Sequence, residues 1–210
     1  MGTRAAIFAV YSGEEGYFGR QPQINQKETA RLAKNLPFRI EGDGMLKELN
    51  PWPVSGFAEV GVFEKGALVI HRSLLDECVR AQDHAVTKSL ISRFPHGKFL
   101  ALGLHSVVNC FAYTFMEGGA TIRQFGGAED HIDADQGDLL TEEAPHFERS
   151  FLRDGMRYFK SPEGEFDATA YGETLVMGIT TRLFGKPLND PTLDLPRLLY
   201  FKLKPWWKIW

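Results

Sequence analysis

The sequence predicts an α+β domain, a single mostly antiparallel mixed sheet of five to six strands with three to four helices packed on it. Three observations predict it. Lys98–Gly127 (KFLALGLHSVVNCFAYTFMEGGATIRQFGG) is one long apolar run that breaks at Glu117-Gly118-Gly119 and resumes as Ala120–Phe125. That is the pattern of two neighbouring strands closed by a glycine-containing hairpin turn. Arg4–Tyr11 (RAAIFAVY) is short and nearly continuous in apolar residues, as an internal strand is. Tyr171, Leu175, Ile179 and Leu183 recur every four residues, one apolar stripe on a helix.

The remaining elements follow in chain order. Ser12–Pro22 is a glycine-rich loop. Asn25 suits the cap of a helix over Gln26–Asn35, with Glu28 as the acidic half of a capping box and Pro37 as its stop. Phe57–Phe63 and Ala67–His71 form a second hairpin signal across Glu64-Lys65-Gly66. Leu74–Phe94 is helical in composition, as two helices meeting near Asp83, and ends at Pro95-His96-Gly97. Phe99–Leu104, Val107–Phe115 and Ala120–Phe125 complete the expected sheet. Asp154-Gly155 between apolar flanks is the cue for a type I′ turn. Glu173–Phe184 is the last helix, with Gly185 placed to end it and Pro187 beyond. The expected core is Ile7, Phe8, Leu100, Leu102, Val107, Phe111, Ile122, Leu175 and Ile179.

Composition limits both architecture and function. A chain of 210 residues, 43% hydrophobic, buries roughly 70% of the surface its unfolded form exposes, enough for one large domain. Residues 1–187 are expected to form it, with 188–210 as a linker and an aromatic-basic tail. A net charge of −3 argues against a nucleic-acid partner, which calls for a dominant basic surface. Two cysteines, Cys78 and Cys110, sit in unlike contexts and fit free thiols of a reducing compartment. Arg4 precedes only six apolar residues, too few for a signal peptide or a membrane span, so the expected location is cytoplasmic.

Four patterns are candidates for chemistry. His105-Ser106 interrupts the longest apolar run. Neighbours in a strand point to opposite faces, so the two cannot act as a Ser–His pair, and no nucleophile elbow surrounds Ser106. His105 is left as an acid, a base or a ligand at a pocket, or as a structural histidine. Glu129–Glu148 holds eight carboxylates with no Lys or Arg, but its spacing departs from a calcium loop and from known zinc patterns. The expectation there is a solvated acidic loop without a bound metal, pairing with Arg149, Arg153 and Arg157. Gly13, Gly16 and Gly19 follow the first strand, yet they match neither a Walker loop nor a dinucleotide fingerprint, and Glu14 and Glu15 would repel phosphate. The end of the chain, LLYFKLKPWWKIW, interleaves Lys202, Lys204 and Lys208 with Trp206, Trp207 and Trp210. Such a segment suits docking on its own sheet, on a second copy, on a protein partner, or at a membrane surface.

The strand LGLHSVVNCFAYTF with its hairpin, the MGTRAAIFAVY strand and the late helix ending in LFG resemble an uncharacterised family of bacterial proteins with a central His-Ser-Val-Val strand, here His105, Ser106, Val107 and Val108. The resemblance covers about half of the chain and implies a fold rather than an activity or a cofactor. Two functions therefore stand. One is a non-enzymatic binding or interaction module using the aromatic-basic tail or a groove on the sheet. The alternative is a small hydrolase-like or metal-assisted enzyme with His105 at its centre and Asp130 and Asp133 of the acidic loop beside it.

Overall fold

The computed structural model describes residues 4–204. Twelve strands and five α-helical segments follow one another, with three 3-10 segments between them. β1 (Arg4–Tyr11) leads through a 3-10 turn at Tyr17–Arg20 into α1 (Gln26–Asn35), then β2 (Ile40–Glu48), β3 (Phe57–Phe63) and β4 (Gly66–Ile70). A 3-10 stretch over Arg72–Asp83 runs into α2 (Ala85–Arg93) and β5 (Lys98–His105), and Ser106–Val108 is a 3-10 turn before β6 (Cys110–Glu117). β7 (Ala120–Ala128), β8 (His131–Gly137) and α3 (Ala144–Phe147) are followed by β9 (Ser150–Arg153), β10 (Met156–Ser161) and β11 (Gly164–Asp167). α4 (Ala168–Ile179), α5 (Thr181–Phe184) and β12 (Arg197–Leu203) close the described chain.

The expectation of one sheet of five to six strands is overturned. Nine strands form one sheet in the order β2-β12-β3-β4-β1-β5-β6-β7-β8, and β11-β10-β9 make a second, three-stranded sheet. Every pairing is antiparallel. The strands that lay outside the expectation lack the apolar signature of those within it. β2 (IEGDGMLKE) is exposed along most of its length and carries positive φ at Gly42 and Gly44, and β8 (HIDADQG) lies in the acidic segment. β12 (RLLYFKL), read as part of the tail, pairs with β2 on one side and β3 on the other. Since both are antiparallel to β12, β2 and β3 run parallel to each other. Residues 49–56 therefore return along the sheet between them, as a crossover must.

Helices cover both faces of the large sheet. On one face Ala6, Phe8, Val10, Val69, Phe99 and Ala101 meet α1, the 72–83 stretch and α2. On the other Ile7, Tyr11, Leu100, Leu102, Phe111 and Phe125 pack with Leu175, Ile179 and Phe184 of α4 and α5. The alternation follows from the two-residue period of the strands. The expected core residues sit there with two departures: Ile122 is half-buried and Val107 is 67% exposed. The expected strand Val107–Phe115 in fact begins at Cys110, because β5 ends at His105 and the chain reverses through the 3-10 turn and Asn109, which takes φ 45°. Asparagine tolerates that left-handed conformation better than most residues. The following hairpin is as expected: Glu117 pairs with Ala120 across Gly118 and Gly119, both at positive φ, the requirement of a type I′ turn. No helix among the described residues is long and apolar enough to cross a membrane.

Candidate functional site

Besides one cleft between the β10–β11 turn and α4, three clefts gather around one loop, the glycine-rich connection from β1 to α1. Its anchorage explains why it holds a fixed shape. Phe18, fully buried, sets its ring edge-on to Tyr11 and Phe63 and lies 6.4 Å from Phe184. Gly16 and Gly19 lie against the turn that ends α5: a Cβ on Gly16 would come within 2.9 Å of the Gly185 Cα, and one on Gly19 within 1.8 Å of the Phe184 carbonyl oxygen. Backbone hydrogen bonds from Gly16 to Arg182 O (2.8 Å), from Ser12 to Lys65 O (2.7 Å) and from Asn25 to Val62 O (2.8 Å) complete the anchorage.

A cleft of about 900 Å³ opens on one side of the loop, walled by Tyr17, Arg20, Gln23, Asn25, Gln26 and Lys65, with Glu64 as its acid. On the other side Glu15, Arg20, Lys186, Thr192 and Asp194 line a cleft of about 290 Å³. A third, of about 450 Å³, lies between Gln21, Glu48, Asp194 and Arg197. The two acids of the loop are engaged within the protein. Glu14 bridges to Arg20 at 2.6 Å, and Glu15 receives Arg182 Nη1 at 2.8 Å. Arg182 also bonds Glu142, so one guanidinium ties the loop to the segment before α3. Burial pushes the Tyr11 hydroxyl well above its ordinary range, and the charge of Glu15 adds to it.

A second ionic cluster sits deeper. Glu143, with no exposed surface, accepts from Tyr113 Oη (2.6 Å), Arg123 Nε (2.9 Å) and the Leu140 amide (2.8 Å). Arg123 reaches on to Asp135 at 2.7 Å. Burial and the neighbouring Glu143 charge together raise the Tyr113 hydroxyl well above its usual value. Consecutive glutamates, Glu142 and Glu143, thus hold two buried arginines on either side of one short segment. Together these contacts fasten the 138–143 segment to the sheet and to the β1–α1 loop.

The residues singled out from the sequence are distributed differently. His105 ends β5, opposite Arg4 of β1 and Cys110 of β6. Burial lowers its affinity for a proton, as do the charges of Arg4 and Arg72. Asp133 belongs to β8 and lies 3.0 Å from the His131 ring, and Asp130 is exposed in the turn before it. With β6 and β7 between β5 and β8, three strand spacings of about 4.8 Å each separate His105 from Asp133. His146 bonds Tyr171 Oη at 2.8 Å. Among the described residues no group of three or more His, Cys, Asp or Glu could hold a metal ion. Lys202 and Lys204 lie in and just after β12, while Trp206, Trp207, Lys208 and Trp210 lie outside the described residues. Sequence reasoning passed over Arg20, Gln23, Gln26 and Lys65. The glycine spacing marked their loop, but the fold alone brings Lys65 of the β3–β4 turn beside it.

No match was found among curated proteins or among solved structures. A family model does match, over residues 7–177, a span that holds most of the sheet, the Arg123–Glu143 cluster and the loop that bears the clefts, and ends before Arg182. The chain belongs to this family of unknown function, DUF6928.

Proposed function

We propose that this protein is a non-enzymatic binding module and that its ligand site is the cleft of about 900 Å³ beside the β1–α1 loop. The observation that carries this reading is the pairing of an open polar cleft with a loop held by buried aromatic and glycine contacts on its inner side. A preformed wall avoids the ordering cost that a loose loop would add to binding. The lining favours ligands that offer many hydrogen-bond acceptors and hydroxyls. Gln23, Asn25 and Gln26 bring amides, Tyr17 an aromatic hydroxyl, and Lys65 a positive charge beside Glu64, with Arg20, paired to Glu14, offering its remaining N–H donors. A small hydroxylated carboxylate, such as an acidic sugar, meets those groups.

Amide-resolved NMR titration with glucuronate, glucose and inorganic phosphate tests the reading. Shifts confined to residues 17–26 and 64–65, larger with glucuronate than with glucose and reduced in Arg20→Ala, are the expected result. Absence of any saturating shift in those residues with all three probes would remove the cleft as a small-ligand site.

A further inference from the structure

The crossover between the parallel strands β2 and β3 lies over a buried acid. Glu59, in the middle of β3, is 3% exposed and shares a face with Phe63 and Leu198 of the core. Its Oε2 accepts from the Asn50 amide at 2.9 Å, so the carboxyl fastens the crossover to the sheet beneath it. Trp52 and Val54, further along the crossover, are 37% and 47% exposed. Leu49 and Pro51, on either side of Asn50, are buried, so the crossover is packed where Glu59 holds it and thin from Trp52 onward.

We infer that Glu59 is the latch of a pH-sensitive strap, residues 49–56, which is held down while the carboxyl is neutral and loosens when it ionises. The groups around the carboxyl give little support to a negative charge. β4 places Ile70 opposite it, and β12 places Tyr200, whose ring stacks on Phe57 at 4.4 Å. Lys47 of β2 lies over the outer side of the Tyr200 ring, 4.3 Å from its centre, and Lys202 lies two residues along β12, exposed. The strap itself contributes only the Asn50 amide. Burial accordingly pushes the carboxyl up to about 7, against the pull of the Asn50 amide and of Lys47. A strap that lifts admits water to Glu59 and returns it to an ordinary carboxylate. Opening therefore becomes more favourable by roughly tenfold per pH unit between the ordinary value, about 4.3, and the raised one, and levels off above it. Near neutral pH a shift of one unit changes how readily Trp52 and Val54 are presented to solvent or to a partner.

Hydrogen exchange of the Asn50 and Trp52 amides, corrected for intrinsic rates and followed from pH 5 to 8 in the full chain, tests the latch. Protection at Asn50 should fall at least tenfold between pH 5 and 7 in the native protein and stay level in Glu59→Gln, whose amide oxygen still accepts from Asn50 without ionising. The same pH dependence in both proteins would overturn the inference. If Glu59→Gln does not fold, the titration of the ¹³C-labelled Glu59 carboxyl in the native protein decides. A midpoint at or above 6 that the fall in Asn50 protection follows supports the latch, and a midpoint below 6, or protection that does not follow it, overturns it.

Discussion

Two buried residues of opposite chemistry, Glu59 and His71, should shape how stability depends on pH. His71 is 9% exposed, and burial together with Arg72 lowers its imidazole to about 4. Below about 6.5 the unfolded form takes up a proton that the buried imidazole refuses, so its contribution is present above about 6.5 and is lost as pH falls toward 4. Glu59 works the other way. Its raised carboxyl favours the folded state fully below about 4.3, and that contribution is lost as pH rises toward 7. At about 1.4 kcal/mol per pKa unit, each residue accounts for about 3 kcal/mol, and the two oppose each other between pH 5 and 6.5. Chemical denaturation of the native protein should show little slope from this pair in that window. Glu59→Gln should show stability rising by about 2 kcal/mol from pH 5 to 6.5, and an unchanged profile would mean that the carboxyl is not raised. The Arg123–Glu143 pair gives a further prediction at this scale, since both side chains are almost fully buried. Glu143→Ala would leave Arg123 Nε and Tyr113 Oη without their acceptor, with Asp135 as the remaining counter-charge, and should cost about 3 kcal/mol, whereas replacing Arg123 and Glu143 together with apolar residues should cost less. Urea denaturation of the single and double variants measures the difference.

Elements whose apolar pattern agrees with their burial were legible, and those defined by their neighbours were not. α1 is the clearest case. Asn25 caps it by accepting from the Glu28 amide at 3.1 Å, as the sequence pattern indicates. The Glu28 side chain, read as the returning half of a capping box, instead pairs with Arg93 of α2, a partner no local pattern could reveal. Asn25→Ala should therefore lower stability by about 1 kcal/mol, the ordinary worth of such a cap, and thermal unfolding checks it. β1, β3, β5 and β6 were visible because both faces of each are covered, which gives near-continuous apolar runs. β2 and β8 sit at the two edges of the large sheet, where glycines and acids stand in place of apolar residues. Acids and bulges at an edge are a known means of discouraging further strand pairing. The cleft was illegible for a related reason. Its glycine loop was conspicuous, but Glu14 and Glu15 argued against an anion, and only the fold reveals that Arg20 and Arg182 engage them.

At the scale of the molecule, the decisive feature is that β12 is inserted between two strands formed more than 130 residues earlier in the chain. Among the described residues β2 pairs with no other strand, and β3 would become an edge without β12. Contacts of such sequence separation carry a large loop-closure cost before they contribute stability, which slows folding. Leu198, Leu199 and Phe201 are each at most 4% exposed, so β12 contributes core on both faces as well as hydrogen bonds. A chain ending at Pro196 should consequently lose β2 and the 49–56 strap while β1 and β4–β7 stay paired. It should melt well below the full chain and bind a hydrophobic dye. A synthetic peptide of residues 197–204 (RLLYFKLK) should restore much of the lost stability by taking the vacant place, since main-chain pairing on both sides guides it into register. Calorimetry of the truncated chain with and without the peptide measures this. A truncated protein that melts at the same temperature as the full chain and ignores the peptide would show that the remaining strands suffice, and that the insertion of β12 is not what closes the sheet.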